Sequence, residues 1–156
     1  MHKTLLAVCS AFALSSPVLA VTLNTTWHCP KESTAQKMDV GDMPDHTYML
    51  AQGECSATAS KGADEKSASY TEFRDISKTG MKNHGVFIAT QGSGDKLYFH
   101  YAGSSSAADK TASNKWTIDG GTGKLTNAKG SGKCSGKVAE DRSGDWHCTG
   151  SYHVGK

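Results

Sequence analysis

Glu72 and Arg74 lie two residues apart in a stretch, 69–77, that can form a β-strand. Both side chains then leave the same face, together with Tyr70 and Ile76, while Thr71, Phe73 and Asp75 take the other. A carboxylate beside a guanidinium can orient a polar ligand or take part in proton transfer. Either role needs the pair inside the protein, where a buried carboxylate requires a partner. The plain alternative is an ion pair on a solvated face. Glu72 and Arg74 are therefore candidate ligand-binding residues. Trp116, Trp146 and Tyr152 join them, because rings with a polar tip suit a ligand cup.

Other chemistry finds less support. Of seven histidines, His2 lies in the first twenty residues, and His100, His147 and His153 fall on polar strand faces. A Ser-His-Asp triad cannot be read from spacing alone, so no catalytic residue is assigned. Gly120-Gly121-Thr122-Gly123 lacks the Lys-Ser/Thr that completes a phosphate loop, and Lys124 and Lys129 beside it read as solvated. Trp27-His28-Cys29 is echoed at Trp146-His147-Cys148, but the flanking residues do not match. Met38, Met43 and His46 are too scattered for a copper site. No metal and no cofactor is expected.

The elements that must position these residues are strands. In Asp145–Val154 the residues Trp146, Cys148, Gly150, Tyr152 and Val154 alternate with His147, Thr149, Ser151 and His153. In Ala128–Val138 a small and apolar face alternates with Lys129, Ser131, Lys133, Ser135 and Lys137. These are period-2 patterns with one apolar face. Centring the turn on Asp141 sets Cys134 opposite Cys148, Gly136 opposite Trp146 and Gly130 opposite Tyr152. A slip of one residue would turn the lysines inward.

A second hairpin, Gly85–Gln91 with Lys96–Gly103, flanks the turn Gly92-Ser93-Gly94-Asp95. Its expected register opposes Val86, Ile88 and Thr90 to Tyr101, Phe99 and Leu97. Residues 46–58 read as a strand ending at Cys55, and 115–119 as another. Residues 56–69 and 103–114 read as polar loops able to cover one end. Residues 21–45 are poorly periodic. Asn24-Thr25-Thr26 is a glycosylation sequon, meaningful in a eukaryotic source.

Residues 1–20 have the layout of a cleaved signal peptide: Lys3, the apolar run Leu5–Leu14, then Val18-Leu19-Ala20. Leu6-Ala7-Val8-Cys9 departs from a lipoprotein box in its valine and its early position. The apolar run is too short to span a bilayer. The expected compartment is the periplasm or the outside of the cell, with no membrane span. Residues 21–45 form an expected N-terminal extension, and 46–156 the domain. Cleavage leaves 16 basic residues against 15 acidic, which gives no electrostatic case for nucleic acid. It also leaves four cysteines, Cys29, Cys55, Cys134 and Cys148. In an oxidising compartment these read as two disulfides with three pairings open. The register favours Cys134–Cys148, and Cys29–Cys55 follows by elimination. Zinc is the rival, but no C-x-x-C spacing supports it.

Several motifs occur in a fixed order: Gln52-Gly53-Glu54-Cys55, then 94–101, then Lys115–Leu125 with its Gly-Gly-Thr-Gly turn, then 130–134 and 145–152. With these the chain resembles small exported bacterial proteins with the allene oxide cyclase-like barrel, related in shape to dirigent proteins and calycins. The resemblance spans residues 46–154 and implies a single all-β domain, a small antiparallel barrel of eight strands. It does not imply cyclase chemistry. The functional expectation is a barrel that binds a small apolar or aromatic ligand, or a partner, without catalysis. The alternative is a cyclase or isomerase acting on a substrate held in the barrel. A monomer or a small homo-oligomer is expected.

Overall fold

The computed structural model describes residues 20–155. The expected signal segment, apart from Ala20, lies outside the described residues. The described residues form nine strands: β1 (Val21–Cys29), β2 (Thr34–Asp39), β3 (Thr47–Lys61), β4 (Glu65–Ser77), β5 (Gly80–Gln91), β6 (Lys96–Ser106), β7 (Thr111–Gly121), β8 (Ala128–Val138) and β9 (Gly144–Val154). Consecutive strands from β3 to β9 pair antiparallel, β9 pairs with β1, and β1 returns to pair with β3. The result is a closed eight-stranded barrel, which removes the sheet edges that an open sheet would expose. The ninth strand, β2, continues the line of β1 along the same edge of β3. Pro30, which has no N–H to give, falls in the break between them. The ladder resumes where Ser33 N–H donates to the Gln52 carbonyl at 2.8 Å.

Residues 21–45 therefore do not stand apart as an extension. Val21–Cys29 is the strand that closes the barrel, with Leu23, Thr25 and Trp27 buried inside it. Its inward residues do alternate, but Thr25 stands at an apolar position and hides the period. The expected loops 56–69 and 103–114 are also mostly strand, with turns only at 62–64 and 107–110. Many of their polar residues face outward, Glu65 and Asn114 being inward exceptions, and closure gives their backbones partners on both sides.

The β8–β9 register is the one that the cysteine and glycine pattern predicts. Cys134 faces Cys148, Gly136 faces Trp146 and Gly130 faces Tyr152. Disulfides join Cys134 to Cys148 and Cys29 to Cys55. The β5–β6 register differs by one residue from expectation: Val86 faces His100, Phe87 faces Phe99 and Ala89 faces Leu97. The cause is the turn. Gln91 N–H donates to the Asp95 carbonyl at 2.8 Å, so three residues rather than four make the loop. Gly94 takes a positive φ of 87° at its end, the usual device of a three-residue hairpin. The shift puts Phe87, Ala89, Leu97 and Phe99 together on the inner face.

The two ends of the barrel differ. Toward the turns at 62–64, 92–95 and 122–127 the interior is filled by Leu23, Ala89, Leu97, Ile118 and Ala128, each at most 3 % exposed. Toward the turns at 78–79, 107–110 and 139–143 the interior opens.

Candidate functional site in the barrel lumen

A cavity of about 600 Å³ occupies the open half of the barrel and is walled by every barrel strand. Its aromatic wall is a chain of edge-to-face contacts. Trp27 meets Phe87 at 5.0 Å between ring centroids, Phe87 meets Phe99 at 6.1 Å, and Phe99 meets Trp116 at 5.2 Å. β1 and β5 are not neighbours, so the Trp27–Phe87 contact crosses the lumen and helps to floor the cavity. Trp116 lies over two glycines on the next two strands, Gly132 on β8 and Gly150 on β9. A Cβ on Gly132 or Gly150 would stand only 2.2 or 2.5 Å from its ring atoms. The absent side chains let the indole sit against the wall instead of filling the lumen.

The polar wall is built around Glu72, which is 6 % exposed. Arg74 Nε donates to Glu72 Oε1 at 2.6 Å, and its Nη2 lies 2.5 Å from the same oxygen. Asn83 Nδ2 donates to Oε2 at 2.7 Å and the Tyr101 hydroxyl donates to it at 3.0 Å. The carboxylate thus accepts from three neighbours on β4, β5 and β6, which satisfies a charged group taken out of water. Arg74 also approaches Glu32 at 3.6 Å, and Arg142 in the β8–β9 turn reaches the other Glu32 oxygen at 3.0 Å. Glu32, in the β1–β2 break, has a side chain only 1 % exposed. An ion chain therefore runs from the lumen wall to the rim.

The electrostatics follow from this crowding. Burial opposes the Arg74 charge, but the Glu72 carboxylate outweighs it and holds the guanidinium above its usual range. Burial, reinforced by Glu72, pushes the Tyr101 hydroxyl far up, so it stays a donor. Deeper in, the Glu65 carboxyl is 2 % exposed and accepts a hydrogen bond from the Thr25 hydroxyl. Burial pushes its pKa up to about 7.

Four of the five candidate residues meet at the cavity: Glu72, Arg74, Trp116 and Trp146. Tyr152 does not line it. It is buried away from the cavity, with its Cβ against Gly130, and burial, then the Glu65 charge, raises its hydroxyl pKa. Sequence reasoning missed Glu32, Asn83, Tyr101, Trp27, Phe87 and Phe99. For Tyr101 the missing signal was the three-residue turn, which sets its face. Glu32 sits where the chain leaves a strand, and no periodicity points it inward. His100, His147 and His153 are exposed. Among the described residues no group of three or more His, Cys, Asp or Glu side chains is placed to hold a metal ion. The two Trp-His-Cys tripeptides do meet, because Trp27 and Trp146 are cross-strand partners, but His28 pairs with Asp145 rather than with His147.

Fold and lumen together define the class: a closed eight-stranded antiparallel barrel with a half-open, aromatic interior. The structure is similar to two solved structures of dirigent proteins. The pterocarpan synthase dirigent protein GePTS1 matches with a TM-score of 0.53 at 13 % identity, over 92 % of this chain and 91 % of that one. The pterocarpan synthase dirigent protein PsPTS1 matches with a TM-score of 0.54 at 13 % identity, over 88 % of this chain and 97 % of that one. At this identity the likeness is one of fold. No family model and no curated protein matches the chain.

Proposed function

We propose that this protein is an exported binding barrel that holds a small apolar or aromatic molecule in its lumen without transforming it. The observation that carries this reading is the open cavity of about 600 Å³, a size within the usual range for small-molecule sites. Its walls combine aromatic rings with a set of polar side chains, as such sites commonly do. The fold's occurrence in pterocarpan synthase dirigent proteins is in keeping with a small-molecule role for the lumen. Two disulfides support a working place in an oxidising compartment. The saturation of Glu72 by Arg74, Asn83 and Tyr101 favours an orienting role over proton abstraction, since the carboxylate is already engaged.

A second reading, a cyclase or isomerase acting on a substrate in the barrel, draws on the Tyr101–Glu72 contact. There Tyr101 would be the proton donor. The two readings part in one experiment. The purified protein is incubated with a mixed small-molecule extract, and the retained and released compounds are analysed by mass spectrometry. The binding reading expects a retained compound, unchanged in mass and structure, that also quenches tryptophan emission, because Trp27, Trp116 and Trp146 all line the cavity. Glu72→Gln should weaken that binding. Catalytic turnover of the compound would favour the second reading. If nothing is retained and emission is unchanged, both readings fall, and an interaction protein acting through its surface takes their place.

A further inference from the structure

We propose that Asn83, Asn114 and Trp116 form a polar end of the cavity that selects a neutral head group bearing N–H donors and a carbonyl acceptor, an aromatic carboxamide. This rests on the ligand-binding reading above and goes further by naming the chemistry of the ligand.

The argument starts from register. Asn83 on β5 faces Gly103 on β6, and Gly103 faces Asn114 on β7, so the two amides share one row with a gap between them. The Asn114 oxygen leans into that gap: a Cβ on Gly103 would stand 1.9 Å from Asn114 Oδ1. Asn83 donates its Nδ2 to Glu72, which can only accept, and this fixes Oδ1 as the atom left over. Trp116 lies two residues beyond Asn114 on the same inward face. Asn83 and Trp116 are 8 % and 4 % exposed, and all three residues line the cavity.

The Oδ1 atoms of Asn83 and Asn114 and the Nε1 of Trp116 are buried, and no protein group partners them. Buried polar groups are paired as a rule, and an unmade hydrogen bond there costs stability. Two acceptors and one donor are complementary to two donors and one acceptor. A primary carboxamide carries that set on a single planar head, and the ring attached to it would meet Phe99 and Trp116. A carboxylate is disfavoured. It offers no donor to the Asn83 and Asn114 oxygens, and two acceptors would then face acceptors. A hydrocarbon leaves all three groups as they are.

The test is a titration of the ¹⁵N-labelled protein at pH 7 with three probes of one shape: 2-naphthamide, 2-naphthoate and 2-methylnaphthalene. Indole N–H resonances are followed and assigned with Trp116→Phe. The amide should bind roughly tenfold tighter than the methyl compound, the factor expected from one or two neutral hydrogen bonds. It should also move the Trp116 indole resonance downfield. Naphthoate should bind more weakly than the amide. Asn83→Ala and Trp116→Phe should each lower the amide-to-methyl ratio. If Asn83→Ala fails to fold, the Trp116→Phe ratio and the wild-type probe series still decide. Equal binding of amide and methyl compound, or tighter binding of naphthoate, overturns the head-group assignment and leaves the binding reading standing. If none of the three binds, the carboxamide assignment falls, and retention from the extract still decides the binding reading by itself.

Discussion

Replacing Glu65 with glutamine should stabilise the protein above neutral pH and have little effect in acid. Glu65 is almost wholly buried and faces Gln91 across the β4–β5 ladder. Burial lifts its pKa from an ordinary 4.5 to about 7, and the Thr25 hydrogen bond only partly opposes that rise. A carboxyl whose folded pKa lies above its unfolded one binds its proton more tightly when folded. Its contribution is therefore fully present below pH 4.5 and is lost as pH rises through 7. At about 1.4 kcal/mol per pH unit, the interval from 4.5 to about 7 corresponds to roughly 3 kcal/mol. Glutamine keeps the shape and can still accept from Thr25, but it does not titrate. Urea unfolding of both proteins, disulfides intact, should be measured at intervals from pH 4 to 8. The stability of the variant relative to the wild type should rise by about 3 kcal/mol across that range, mostly between pH 4.5 and 7. A difference that stays flat with pH, or that shrinks as pH rises, would refute the assignment of Glu65 as a buried, proton-holding carboxyl.

Arg74→Ala leaves Glu72 and Glu32 without their shared cation. It should cost about 3–5 kcal/mol of stability in chemical denaturation, more than a surface ion pair is worth. Replacing both Cys134 and Cys148 by alanine opens a loop with a sequence separation of 14. The loss should be about 3 kcal/mol by chain entropy, read as a lower urea midpoint than the wild type under oxidising conditions. Gly150→Val forces a side chain into the space held by the Trp116 ring and the Ser131 carbonyl. Overpacking of this kind should cost about 1–3 kcal/mol, and a thermal melt should show it as a lower Tm.

Some of this architecture is legible in the residues alone. The alternation in 128–138 and 145–154, the two cysteines and the glycines opposite aromatic residues agree on one register, and the structure has it. Period-2 order specifies register strongly when one face must be buried, because a slip of one residue exposes every apolar side chain. Glu72 and Arg74 could be put on one face from spacing, but which face is inside is a property of the whole sheet. The β5–β6 hairpin shows the limit of local pattern. Val86, Phe87, Ile88 and Ala89 are apolar on both faces, so only the turn at Gly94 decides which ones enter the core. Tertiary structure alone made β1 a barrel strand, since its ladder partners are residues 56–61 and 144–152. It alone gathered Glu32, Glu72, Asn83, Tyr101 and Arg142 from distant stretches of chain. It also decided that the lumen stays open. The Trp116 indole rests over Gly132 on β8 and Gly150 on β9, and that contact exists only once the three strands β7, β8 and β9 have paired in this register.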